Sequence, residues 1–158
     1  MTRQTSFLKT LCQTLQQSEI PFALVGGHAV ALHGAVRGTV DIDLIILWQK
    51  KHLMKLEQTL TSMGLISRLP LTAEDIFNFR DEYIEKRHLI AWNFYNPADL
   101  SQQVDVLINY DLGNKPIKQL AMTGVKVPLL NINDLITMKK TVGRPQDIAD
   151  IAALEKLR

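Results

Sequence analysis

Two aspartates, Asp41 and Asp43, stand two residues apart in a run that is otherwise Val40, Ile42, Leu44, Ile45, Ile46 and Leu47. No other stretch constrains the fold as strongly. Such a run predicts a β-strand. Strand faces alternate, so both carboxylates point the same way, with alpha carbons about 6.5 Å apart at about 3.3 Å per residue. Two anions that close repel unless something cationic sits between them. Buried charges are normally paired or bind metal, so two readings stand open: divalent-cation ligands, or an edge-strand pair facing water. The run closes a longer unit, residues 22–47, FALVGGHAVALHGAVRGTVDIDLIIL, which reads as strand, glycine turn, short helix, basic loop and second strand.

With 158 residues the chain is expected to form a single domain, 1–158, that buries about two-thirds of its unfolded surface without disulfides. The lone Cys12 falls beside Leu8, Leu11 and Leu15, which predicts a buried apolar thiol rather than a nucleophile. The N-terminus is polar and amphipathic, and no run approaches the roughly 20 apolar residues of a membrane span. A soluble, cytoplasmic protein is therefore expected, with no membrane partner. Eighteen basic against 16 acidic residues is too even a balance to mark a nucleic-acid footprint, though it is compatible with anionic partners.

Along the chain, Thr5 or Ser6 can cap a first helix carrying the Leu8, Leu11, Cys12, Leu15 stripe. Leu53, Leu56, Leu60 and Met63 repeat the helical spacing, and Gly64 suits a left-handed cap; a short strand over 65–69 follows. Residues 70–87 open on a Thr72 cap with Asp75 three on, then become a charged helix or flap anchored by Phe77, Phe79 and Tyr83. Residues 88–95 and 103–109 predict an antiparallel hairpin about the turn-rich 96–99. Residues 116–120 read as a short helix and 124–129 as a strand. Asn131 and Asp134 resemble a capping box for a helix closed by Gly143, and Pro145 opens a last helix with Ile148, Ile151, Leu154 and Leu157 on one stripe.

The second strand of the hairpin, VDVLI, holds a third carboxylate, Asp105, inside an apolar run. If that strand neighbours the first acidic one, the three aspartates can hold a pair of magnesium ions about 3.5–4 Å apart, an arrangement suited to phosphoryl or nucleotidyl displacement. Magnesium favours a few carboxylates plus phosphate oxygens, so a nucleoside triphosphate would complete the shell. Gly26 and Gly27, between a strand and a helix, let backbone approach a phosphate closely where the helix N-terminus offers free N–H groups.

These residues, in the order GGHAVALHGAVRGTVDID, resemble the nucleotidyltransferase superfamily related to DNA polymerase beta, whose signature is a GS or GG turn followed, after a helix, by D-x-D or D-x-E. The closer likeness is to small AbiEii-type nucleotidyltransferases, the family of toxins from type IV toxin–antitoxin systems. VDVLI supplies the third carboxylate, and DLITMKKTVGRPQDIADIAAL is similar to the group's C-terminal signature. The resemblance implies an α/β fold, a mixed-sheet, palm-like minimal nucleotidyltransferase domain with flanking helices. It also implies transfer of a nucleoside monophosphate from a triphosphate to a hydroxyl acceptor, RNA, protein or small molecule, with release of pyrophosphate.

Carried over residue by residue, Asp41, Asp43 and Asp105 would be catalytic and would hold two magnesium ions, or manganese in their place, with Asp105 also helping to deprotonate the acceptor. Gly26 and Gly27 would seat the triphosphate through backbone N–H groups, since the turn is GG rather than GS. Arg37 and Thr39 match the R-x-T that often precedes the acidic pair; Arg37 would neutralise a phosphate or bridge to a carboxylate. Lys139 could reach the triphosphate, with surface solvation as its alternative. Asp147 and Asp150 would favour the helix dipole or pair with Arg144 or Lys139, and His28 and His33 are expected to be structural. A cognate toxin or antitoxin would be the protein partner. The rival reading is a non-catalytic nucleotide-binding or antitoxin-like protein of the same fold.

Overall fold

The structure, a computed structural model, describes residues 3–35, 38 and 41–158. In chain order the elements are α1 (Arg3–Gln17), β1 (Phe22–Val25), α2 (Gly26–Leu32), β2 (Ile42–Ile46), α3 (Lys50–Ser62), β3 (Ile66–Ser67), α4 (Ala73–Asn78), α5 (Arg80–Arg87), β4 (Ala91–Asn96), β5 (Asp99–Leu107), β6 (Ile117–Met122), β7 (Val125–Leu130), α6 (Ile132–Val142) and α7 (Pro145–Lys156). The seven strands form one mixed sheet in the order β3-β4-β5-β2-β1-β7-β6. β2 pairs with β5, and β1 with β7, in parallel; the remaining neighbours are antiparallel. Among the described residues no helix is long and apolar enough to cross a membrane.

β1 and β2 lie at the centre because their side chains are apolar on both faces, as a strand covered on both sides requires. Every residue of β1 is buried, and Asp43 is the one position of β2 that is not fully so. α1 packs the expected stripe of Leu8, Leu11, Cys12 and Leu15 into the core. Burial pushes the Cys12 thiol up to about 12, which keeps it protonated and unreactive. Thr72 and Asp75 form the expected reciprocal cap of α4, and Asn131 caps α6 by accepting from the Asp134 N–H at 2.9 Å.

Three expectations are corrected. Residues 117–122 are not a helix but β6, paired along its whole length with β7 across the turn at Thr123 and Gly124. Lys118, Gln119, Leu120 and Ala121 are helix formers, but hairpin pairing overrides that weak local preference. Residues 70–87 form two short helices broken at Phe79, and α5 buries no residue at all. The aromatic anchoring is done by Phe77, stacked on Trp48 at 6.4 Å, and by Tyr83, which packs against the core, whereas Phe79 is exposed. On α7 the inward face is Asp147, Asp150 and Leu154, while Ile148 and Leu157 of the expected stripe are exposed. The physical reason lies in a buried lysine on the neighbouring helix.

Candidate active site

The register of the sheet sets three carboxylates beside one another. Asp43 on β2 is the direct partner of Asp105 on β5, and Val25 at the end of β1 flanks Asp43 on its other side. Asp41 falls one residue before β2 and two before Asp43. All three aspartates, with Val25 and Gly26, line one cleft of about 540 Å³. The opposite wall is α6, through Leu135, Met138 and Lys139, with Arg144 and Asp147 at its end.

Gly26 is glycine for two reasons. Its φ of +67° is the left-handed conformation that side chains disfavour. A Cβ there would also overlap Asp43 Oδ2 and stand 2.8 Å from Asp43 Cγ. The turn therefore lies directly against the central carboxylate, with Gly27 buried behind it in α2.

Charge is unbalanced at this point. Burial, reinforced by the charge and hydrogen bond of Asp105 and by the charge of Asp41, pushes Asp43 up to about 7, with Lys139 opposing. Asp41 is also raised, by burial and then by Asp105, while Arg68 and His28 pull it down. Asp43 thus retains its proton to a higher pH than an ordinary carboxyl, and it holds a hydrogen bond to Asp105. Among the described residues no group of three His, Cys, Asp or Glu side chains is already arranged around a metal position. The donor set itself, carboxylate oxygens with no sulfur or imidazole at the centre, fits a hard divalent cation such as magnesium or manganese. Asp41, Asp43 and Asp105 would hold it, and its charge would replace the proton on Asp43.

The other wall is electrically satisfied. Lys139 is buried on α6, its Nζ 2.9 Å from Asp150 Oδ2 and 3.6 Å from Asp147 Oδ1. Arg144 Nε donates to Asp147 Oδ2 at 2.8 Å, and Gln146 Nε2 donates to Asp150 Oδ1 at 3.0 Å. The Arg144 hydrogen bond, then its backbone bond and charge, hold the Asp147 carboxyl below its usual range against burial. Lys139 is accordingly no surface lysine: its amine is committed to locking α7 onto α6, although it still faces the cleft and acts on Asp43. This lock also explains the inward aspartates of α7.

Of the other expected residues, Arg37 and Thr39 lie outside the described residues. His33 has the structural role foreseen, with Nε2 2.8 Å from the Leu130 carbonyl oxygen. Two neighbours of Asp105 went unforeseen. Asn93 on β4, its register partner, donates from Nδ2 to Asp105 Oδ1 at 2.7 Å, and Arg68 Nε donates to Asn93 Oδ1 at 2.8 Å. Asn109, also in the cleft, has a buried Oδ1 with no hydrogen-bond partner among the described residues. Period-2 alternation puts Asn93 and Tyr95 on one strand face, but which face met Asp105 depended on a register that the sequence does not print.

Residues 2–156 match the family described as "Nucleotidyltransferase of unknown function (DUF6036)". No curated protein matches the chain. Among solved structures it is similar to the lincosamide antibiotic adenylyltransferase LnuA in its lincomycin-bound form, with TM-score 0.67 and 15% identity over 100% of this chain and 99% of that one. An antigenic nucleotidyltransferase-like protein from Paracoccidioides brasiliensis superposes with TM-score 0.62 and 22% identity, covering 98% and 78%. ANT(2")-Ia in complex with adenylyl-2"-tobramycin gives TM-score 0.59 and 16% identity, covering 99% and 93%. At these identities the likeness is one of fold, and it agrees with the mixed sheet described above.

Proposed function

Because the chain belongs to the DUF6036 family of nucleotidyltransferases, we propose that it moves a nucleoside monophosphate from a triphosphate to a hydroxyl acceptor, with divalent cations held by Asp41, Asp43 and Asp105. The observation that carries this reading is the pairing of Asp43 with Asp105 on adjacent parallel strands, facing a cleft beneath Gly26. Magnesium, or manganese in its place, would supply charge neutralisation at the phosphates. The protein's own part is geometric. Gly26, which lines the cleft with Gly27 buried behind it, would offer backbone to the triphosphate, and Arg144, whose side chain is exposed and feels the charge of Asp43, adds a cation there. Arg37 and Thr39, which precede Asp41 in the sequence, belong to the same proposal. Lys139 contributes through its field, since its hydrogen-bonding is directed at Asp150.

In the reaction the acceptor oxygen forms a bond to the α-phosphorus and the bond to the pyrophosphate oxygen breaks. Asp105 takes up the hydroxyl proton. Asn93 donates to one oxygen of Asp105, which fixes the direction of the carboxylate. Among the similar structures, LnuA is lincomycin-bound and ANT(2")-Ia is in complex with adenylyl-2"-tobramycin, which supports a small molecule among the acceptors considered. An AbiEii-type toxin or antitoxin role rests on the sequence resemblance alone, and co-purification with the product of an adjacent gene tests it.

The direct test is transfer of label from α-labelled nucleoside triphosphates to an acceptor in cell extract, with and without magnesium. Transfer should fall by at least about 1000-fold, equivalent to about 4 kcal/mol of barrier, in Asp43→Ala. Labelling that survives alanine at all three aspartates removes the proposal. A non-catalytic nucleotide binder would instead bind triphosphate indifferently to magnesium and transfer nothing.

A further inference from the structure

One transverse row of the sheet runs through the site and continues beyond it. Val25, Asp43, Asp105 and Asn93 are successive register partners on β1, β2, β5 and β4. Arg68, the residue after β3, extends the row by donating its backbone N–H to the Asn93 carbonyl at 2.9 Å. In paired strands, partners project from the same face, so these side chains form a line across the sheet. The next row on that face holds Tyr95 and Gln103, also direct partners.

The guanidinium at the end of the line is held in place. Its centre lies 4.3 Å from the Tyr95 ring centroid, Nε donates to Asn93 Oδ1 at 2.8 Å, and Nη2 makes a longer bond of 3.4 Å to Gln103 Oε1. A cation stacked on an aromatic face and bonded on one edge loses little freedom on meeting a ligand. Arg68 is nonetheless exposed, so the remaining edge of its fork is open to solvent. Its charge acts on Asp41, but it makes no salt bridge among the described residues, and its side-chain bonds go to the neutral carboxamides of Asn93 and Gln103.

Direction supplies the rest, and here the argument rests on the transferase reading above. A displacement at the α-phosphorus is in line, with the attacking oxygen opposite the departing pyrophosphate. With the triphosphate seated at the Gly26 end of the row, the acceptor hydroxyl comes in over Asp105, and the body of the acceptor lies over Asn93 and Arg68. Adjacent strands are about 4.8 Å apart, so Arg68 stands about 10 Å along the row from Asp105, a distance its long side chain can shorten. We propose that Arg68, Asn93, Tyr95 and Gln103 form the acceptor subsite, and that the acceptor is a phosphorylated hydroxyl compound whose phosphate meets the Arg68 fork. The phosphate has two sources, a free sugar or nucleoside phosphate and the end of an RNA strand. Both present a hydroxyl and a phosphate a few bonds apart.

The experiment supplies α-labelled triphosphate and magnesium with four acceptor probes: adenosine, 5'-AMP, ribose 5-phosphate and a short single-stranded RNA. Label should enter the phosphorylated probes and pass over adenosine. Preference for ribose 5-phosphate or 5'-AMP identifies the free-phosphate source, and preference for the RNA identifies the strand end. Arg68→Gln should raise KM for the labelled probe by about 10-fold or more, the worth of a charge-assisted hydrogen bond, while triphosphate binding by calorimetry and the melting temperature stay near wild type. Arg68→Lys should recover part of the loss, since it keeps the charge but not the fork. Equal labelling of adenosine and 5'-AMP, or an unchanged KM in Arg68→Gln, overturns the inference. So does triphosphate binding with none of the phosphorylated probes labelled, an outcome that leaves the transferase reading standing. Failure of the triphosphate itself to bind removes that reading instead.

Discussion

The cleft has two walls, each with a pair of buried or mostly buried carboxylates, and they are built on opposite principles. On the helical wall Asp147 and Asp150 meet Lys139, Arg144 and Gln146 in a closed network, and the Asp147 carboxyl is held below its usual range. On the sheet wall Asp43 and Asp105 face each other, and burial with mutual repulsion pushes Asp43 up to about 7. The same side chain serves structure where it is paired and is left in conflict where a ligand has work to do. Lys139 touches both worlds, since it bonds to one wall and lowers Asp43 on the other.

The comparison breaks most sharply at Lys139. Replacing it with Met removes the central cation from two buried carboxylates, and breaking such a pair typically costs about 3–5 kcal/mol. Urea denaturation should show that loss together with separation of α7 from α6. A loss below about 1 kcal/mol would mean that the helical wall is not held by its charges.

Gly26→Ala comes next. A side chain in the left-handed region costs about 1–2 kcal/mol, and the overlap with Asp43 adds to it. The variant is expected to melt earlier and to lose triphosphate binding, whereas Gly124→Ala, where φ is also positive but a Cβ meets nothing within 4 Å, should show only the backbone cost.

The smallest effect has the most informative sign. Asp43→Asn should stabilise the fold at neutral pH by about 1 kcal/mol or more, the equivalent of one pKa unit, even as transfer is lost. The folded state holds the Asp43 proton more tightly than the unfolded chain, so this group's contribution declines as pH rises from about 4 to about 7. Asp147 acts the other way. Its lowered carboxyl stabilises the fold above the ordinary aspartate value of 3.8, and that contribution is lost as pH falls through the lowered pKa. Wild-type stability should therefore peak in weak acid, and Asp43→Asn should flatten the decline toward neutrality. Melting curves from pH 3 to pH 8 check both signs at once.

Much of this was legible in the sequence because it is local. Asp41, Asp43 and Asp105 announce themselves as charges in apolar stretches of sequence, and Thr72 and Asn131 mark helix starts by capping chemistry. What was not legible depends on partners distant along the chain. Arg68 and Asn93 became neighbours of Asp105 only once β3, β4 and β5 took their register. The burial of Lys139 required α7 to fold back on α6, and that packing turned Asp147 and Asp150 inward against the competing stripe of Ile148 and Leu157. In β6 the residues favour a helix by themselves, and pairing with β7 prevails.

We propose that Asp43 and Asp105, together with Asp41, hold the metal ion. Manganese titrated into the protein with a non-hydrolysable triphosphate, with free ion followed by electron paramagnetic resonance, tests it most directly. Wild-type protein should bind the ion, releasing a proton near neutral pH, and Asp43→Asn should weaken binding by no less than the roughly 10-fold typical of changes around metal ligands. Equal manganese affinity in wild type and Asp43→Asn would contradict the account.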